Sequence, residues 1–187
     1  MILIDNYDSF TYNIVQYLQE LGINPKVFKN NEISISNLKK IKFTSIIISP
    51  GAGNPNTAGI SLDIIKEFYN TKKILGVCLG FQCLAQFFGA NIVKDKEPMH
   101  GKISKIQVLG TSKLFKDLPK NFDVTRYHSL IVDKKTIQTP LKITAKTKDE
   151  IIMAIEHETL PLYGVQFHPE AILTQYGHEL FKNFIED

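Results

Sequence analysis

Cysteine is scarce in this chain: Cys78 and Cys83 are the only two among 187 residues. Two thiols cannot build a disulfide framework, and they lack the paired spacing of a zinc site. A reducing compartment is therefore expected (bacterial cytoplasm or plastid stroma), with no metal. No apolar run approaches the ~20 residues that span a membrane, so no membrane association is expected. The opening Met1-Ile2-Leu3-Ile4-Asp5 has neither the basic stretch nor the long apolar core of a secretion signal and reads as a first strand. A field of one charge is missing too. The formal net charge is +3, and Lys39-Lys40, Lys72-Lys73 and Lys134-Lys135 are scattered pairs, so no nucleic-acid partner is expected. Linkers, low-complexity tracts and internal repeats are absent. A hydrophobic content of 43% suits one domain, 1–187, with a core of its own.

What is present is an alternation of short apolar runs and helical patterns. Met1 to Ile4 predicts a strand, and Phe10, Ile14, Leu18 and Leu21 recur at helical spacing up to the stop at Gly22. Lys26 to Phe28 predicts a strand and Ser36 to Lys40 a weak helix. Ser45-Ile46-Ile47-Ile48-Ser49 is apolar on both faces, as a strand covered on two sides must be. Ser61 to Asn70 predicts a helix, Ile74 to Val77 a buried strand, and Leu79 to Phe88 an apolar helix ended by Gly89. Such strand–helix repeats imply an α/β fold: a mostly parallel central sheet flanked by helices, whose ligands lie beyond the carboxyl ends of the strands. Asp5, Pro50 to Gly53 and Cys78 should meet at that edge. The second half predicts a smaller antiparallel region: strands Lys102–Val108, Asp123–Arg126, Leu130–Val132, Lys142–Lys146, Ile151–Ile155 and Leu162–Phe167. A last helix is predicted over Tyr176–Ile185. Asp5 to Ser9 reads as a loop ending in an N-cap.

Gly76-Val77-Cys78-Leu79-Gly80 carries the chemistry. A strand that turns sharply into a helix strains its turn residue and lifts that side chain clear of the sheet. Small neighbours are needed to avoid collision. The exposed atom is here a sulfur, and the N-terminus of the next helix favours its thiolate. A thiolate nucleophile needs a proton-transfer partner. Of five histidines, only His168 has a carboxylate placed to orient it, in Gly164-Val165-Gln166-Phe167-His168-Pro169-Glu170. Pro169 biases His168 toward an extended conformation, in which residues i and i+2 point the same way. An oxyanion donor is expected from the N–H of Leu79 and a second from the Pro50-Gly51-Ala52-Gly53 loop. Gln82 lies one helical turn past Cys78. Cys83 falls within the apolar helix pattern and reads as core, and His128 as a turn residue.

Together these pieces resemble the class I (triad-type) glutamine amidotransferases, which are flavodoxin-like in fold. Ile4 to Asn13 is similar to the opening of the glutaminase subunits of anthranilate synthase and of para-aminobenzoate synthesis. The resemblance runs end to end, through Ser49 to Gly53, Gly76 to Gln82, Met99 to Lys102, Arg126 to Leu130 and Gly164 to Glu170. It implies a triad of Cys78, His168 and Glu170, with Gly53 and Leu79 as backbone oxyanion donors. It implies that L-glutamine is held by Gly51, Ala52, Gly53, Gln82, Ser129 and Leu130, with no cofactor in this subunit. The implied partner is a larger, chorismate-using synthase subunit that takes ammonia for aromatic amination in tryptophan biosynthesis, with the folate pathway as the alternative. Three positions depart from the commonest pattern: Ala52 for proline, Phe81 for histidine and Ala171 for serine. None removes a reacting atom. One subunit shared by both pathways, a stand-alone cysteine hydrolase and a non-catalytic binding subunit stand as alternatives.

Overall fold

The computed structural model describes all 187 residues. The first half runs β1 (Ile2–Asn6), α1 (Thr11–Glu20), β2 (Lys26–Lys29), the single turn α2 (Ile35–Leu38) and β3 (Ser45–Gly51). It continues through α3 (Ser61–Phe68), β4 (Lys73–Val77) and α4 (Leu79–Phe87). The second half holds β5 (Ile92–Lys94), β6 (Lys102–Val108), β7 (Asn121–Arg126) and β8 (Leu130–Val132). After these come β9 (Leu141–Thr147), β10 (Ile152–His157), β11 (Leu162–Val165) and α5 (Gly177–Glu186). Nine strands form one sheet in the order β2-β1-β3-β4-β11-β10-β9-β6-β7, and β5 pairs with β8 apart from it. The strands from β2 to β11 in that order are parallel, and β10, β9, β6 and β7 extend them antiparallel. The α/β class is as expected. The antiparallel strands continue the main sheet, and only the β5–β8 pair stands as a small sheet beside it.

Strand alternation divides the core. Leu3, Ile47, Leu75 and Val77 point to one face, where they meet Ile14 and Leu18 of α1 and Leu180, Phe181 and Phe184 of α5. Ile2, Ile4, Ile46, Ile48 and Ile74 point to the other and meet Ile64, Ile65 and Phe68 of α3 and Leu84 of α4. This is why β3 is apolar throughout: its three isoleucines are fully buried, each contributing roughly 1.5–3 kcal/mol of transfer free energy. No helix is long and apolar enough to cross a membrane.

Several local expectations need correction. Helix α1 starts from Phe10 without a side-chain cap. Asp8 Oδ1 accepts instead from the Phe10 N–H, and Asp5 Oδ1 from the N–H of Tyr7 and the hydroxyl of Thr11. Asp5 lies inside β1 and spends its carboxylate on that loop. Strand β11 ends at Val165 and leaves Gln166 to His168 in a bend, because the backbone there turns toward β7, where His168 N–H donates to Thr125 O. Strand β5 was not anticipated.

At Gly80 a Cβ would lie 2.2 Å from the carbonyl oxygen of Ile48, and at Gly76 it would lie 2.3 Å from that of Gly80. Both obstacles are backbone and cannot swing aside. Gly80→Ala should therefore cost about 2–3 kcal/mol. Urea denaturation checks this, and a loss below about 0.5 kcal/mol would contradict the packing argument.

Candidate active site

Strand β4 carries the chain to the sheet's carboxyl edge, and α4 begins one residue later, at Leu79. The single residue between them is Cys78, with φ +51° and ψ −98°. Positive φ is strained for a side chain with a Cβ, and it is tolerated here because the surroundings over-determine the turn. The Cys78 N–H donates to Val165 O at 2.8 Å, and its carbonyl receives the N–H of Gln82 at 3.1 Å. Cys78 is 5% exposed, Cys83 is wholly enclosed, and burial pushes the Cys83 thiol up to about 12.

His168 and Glu170 meet across the turn after β11, with Nδ1 and Oε1 2.7 Å apart. The contact forms in a turn closed by the Ala171 N–H on His168 O, not along an extended strand. Thr174 Oγ1 donates to the His168 carbonyl at 2.6 Å, and the rings of Phe10 and Tyr127 stand edge-on to the imidazole at 5.5 and 5.1 Å. These contacts leave the ring one orientation. Burial opposes charging it, but the Cys78 side chain, and then Glu170, hold His168 well above its ordinary value. Nε2 has no well-formed hydrogen bond and Glu170 Oε2 none at all.

A cavity of about 280 Å³ opens over the sulfur, lined by Gly51, Ala52, Gly53, Cys78, Leu79, Gln82, Tyr127, His128, Ser129 and Leu130. Every residue expected to hold glutamine or an oxyanion lies on this wall. His168 and Glu170 sit behind it. A wider cleft of about 350 Å³, with Lys113, Lys142 and Glu156 in its lining, touches none of these residues. It lies toward the start of β11, and so toward the other end of the parallel strands. No group of three or more His, Cys, Asp or Glu side chains is disposed to hold a metal.

The sequence pattern of the family described as glutamine amidotransferase class-I matches residues 2–187. The chain belongs to that family. It is 49% identical over 187 residues to anthranilate synthase component 2 of Pyropia yezoensis, covering 100% of this chain and 98% of that one. It is 48% identical over 186 residues to the aminodeoxychorismate/anthranilate synthase component 2 of Bacillus subtilis (strain 168), covering 100% and 95%. The crystal structure of a Thermoplasma acidophilum protein assigned as a GMP synthase subunit superposes with a TM-score of 0.87. That protein is 30% identical, and the match covers 99% of this chain and 91% of that one.

Two features of this amidotransferase site escaped the sequence reading. Asn6 buckles the glycine loop: its N–H donates to Ser49 Oγ, its Nδ2 to Ser49 O, and its Oδ1 receives Asn30 Nδ2 and Ser61 Oγ. Gly51 presses against Asn6 so closely that a Cβ would fall 2.5 Å from the asparagine's own. The second feature is a buried polar cluster behind the opposite wall. Arg126, 2% exposed, lies 3.6 Å from Asp95 and donates Nε–H to His128 Nε2 at 3.0 Å. The backbone N–H groups of Met99 and Asp95 hold the carbonyls of His128 and Ser129.

Accepting from Arg126 requires a neutral imidazole, and burial, then the Arg126 charge, lower His128 to about 3. In the unfolded chain it titrates at about 6.5, so below that pH the unfolded state binds the proton first. Stability should then fall with pH by as much as about 1.4 kcal/mol per unit, until the folded state also protonates. His128→Gln retains an acceptor for Arg126 and should flatten the slope between about pH 6 and pH 4 by a similar amount. Equal slopes in urea titrations of the two proteins would contradict the assignment.

Proposed function

We propose that this chain is the glutaminase subunit of anthranilate synthase, acting through Cys78, His168 and Glu170. The observation that carries the reading is a cysteine on a strained turn at a small cavity, beside an imidazole whose far nitrogen is bound by a buried carboxylate. The Cys78 thiolate attacks the side-chain carboxamide carbon of glutamine. The N–H groups of Leu79 and Gly53 receive the oxyanion; the first-turn N–H of a helix has no acceptor within it, and Gly53, with φ +84°, turns its backbone freely. His168 gives its proton to the departing nitrogen, and ammonia leaves as the carbonyl reforms in a γ-glutamyl thioester. The same imidazole takes a proton from water, which attacks the thioester and releases glutamate and the thiolate. Glu170 steadies the imidazolium throughout.

Gly51, Ala52, Gly53, Gln82, Ser129 and Leu130 are assigned to binding the glutamine. Both donor contacts of Gln82 are spent inside the protein, on Leu130 O and Gln166 Oε1, each at 3.1 Å. Its Oε1 is left as an acceptor for a substrate N–H. The reaction calls for a reduced Cys78 and for no cofactor in this chain, in keeping with two unbonded cysteines and with a reducing cytoplasm or stroma.

Ammonia released into water is protonated and lost, so the reading requires a synthase subunit that aminates chorismate. Ile172 and Leu173, two and three residues past Glu170 and 92% and 57% exposed, form an apolar rim suited to docking such a partner. The Bacillus relative's name spans both aromatic products, which supports a second reading: an aminodeoxychorismate synthase glutaminase, or one subunit serving both pathways. The product released by the co-purifying large subunit separates the two. Cys78→Ser should lower glutamine-dependent synthesis by the complex on the order of 1,000-fold, with ammonium-dependent synthesis within about twofold of wild type. Loss of both would contradict the division of labour. High turnover without a partner would favour a stand-alone hydrolase.

A further inference from the structure

We propose that the side-chain amide of Gln166 donates a hydrogen bond to the Cys78 sulfur during the reaction, held in that orientation by Gln82. The inference deepens the proposed function and rests on Cys78 being its reacting group. Register brings the two residues together: β4 and β11 are parallel with Val77 beside Val165, so the residue after each strand falls next to the other at the sheet's carboxyl edge. Gln166 is fully buried, its backbone N–H is fixed on Met153 O at 2.9 Å, and its Nε2 lies 3.6 Å from Cys78 Sγ.

The direction of the amide follows from its neighbours. Leu130 O can only accept, so Gln82 must turn its NH₂ group toward it. That same nitrogen then faces Gln166, which must present its oxygen. The remaining end of Gln166, toward the sulfur, is therefore the donor. A neutral thiol accepts such a bond weakly and a thiolate strongly, because charge on the acceptor roughly doubles its strength. The bond thus forms most fully on the nucleophile and weakens once the sulfur becomes a neutral thioester. Gln82 acts only through Gln166 here and is a positioning residue.

Alkylation of Cys78 by iodoacetamide in the full chain, located by mass spectrometry between about pH 5 and pH 9, reads the sulfur without requiring turnover. Gln166→Met keeps the volume and removes the donor. It should slow labelling about tenfold at neutral pH and move the rate profile about one pH unit upward. Gln82→Met leaves the donor but frees it, and should move the profile the same way with about a threefold loss of rate. Cys83, enclosed in α4, should stay unlabelled in all three proteins. Wild-type profiles in both variants would overturn the inference and leave the proposed function standing. Should Gln166→Met lack a cooperative thermal transition, a wild-type profile in Gln82→Met overturns it alone. A wild-type protein unlabelled at Cys78 would sink the proposed function and this inference together.

Discussion

The site depends on one strained backbone position. Cys78 at φ +51° costs on the order of 1–3 kcal/mol, and nothing in the residue itself offsets that. What holds it is the fit between β4 and α4. Gly76 and Gly80 let the helix approach both its own strand and β3, to the point where no Cβ fits at either position. The N–H of Cys78 is captured by Val165 O on the neighbouring strand. The stacked isoleucines of β1, β3 and β4 supply the burial that keeps these elements pressed together. Sheet packing is thus converted into a precise placement for one sulfur atom.

The walls of the cavity are held by polar groups of a kind that seldom adds stability. A buried guanidinium 3.6 Å from a carboxylate loses more hydration than a pair at that distance recovers. The Arg126–Asp95–His128 cluster is better understood as a fixture. It orients the strip from Tyr127 to Leu130, while Asn6 does the same for the Gly51 to Gly53 loop across the cavity. Both fixtures stand behind groups assigned to the substrate. The Arg126 cluster defines geometry at a cost in stability, and the fully hydrogen-bonded Asn6 defines it without one.

Much of this was legible in the sequence because it is written in local signals. Doubly buried strands appear as continuous isoleucine runs, and the elbow announces itself by glycines on both sides of Cys78. The proximity of His168 and Glu170 was also readable, although the structure reaches it through a turn. The strand β5 was not legible. It is three residues long, two of them exposed, and exists only because β8 pairs with it from far along the chain. Neutral polar residues were equally silent. Asn6 and His128 read as loop or turn residues and Gln166 as one more strand residue until tertiary contacts give each side chain its partners. The joining of parallel and antiparallel strands into one sheet is likewise a long-range pairing with no local mark.

The two cysteines show why environment must carry the functional argument. They lie five positions apart, one just before helix α4 and one in its interior, and have the same side chain. Cys83 is packed among Ile64, Leu84 and their neighbours, where burial drives its thiol to about 12 and leaves it inert at neutral pH. Cys78 faces a cavity, receives an amide N–H from Gln166 and stands beside an imidazole that it helps to keep charged. Burial alone does not separate them, since Cys78 is only 5% exposed. The strained turn aims Cys78 at the cavity, and reactivity begins there.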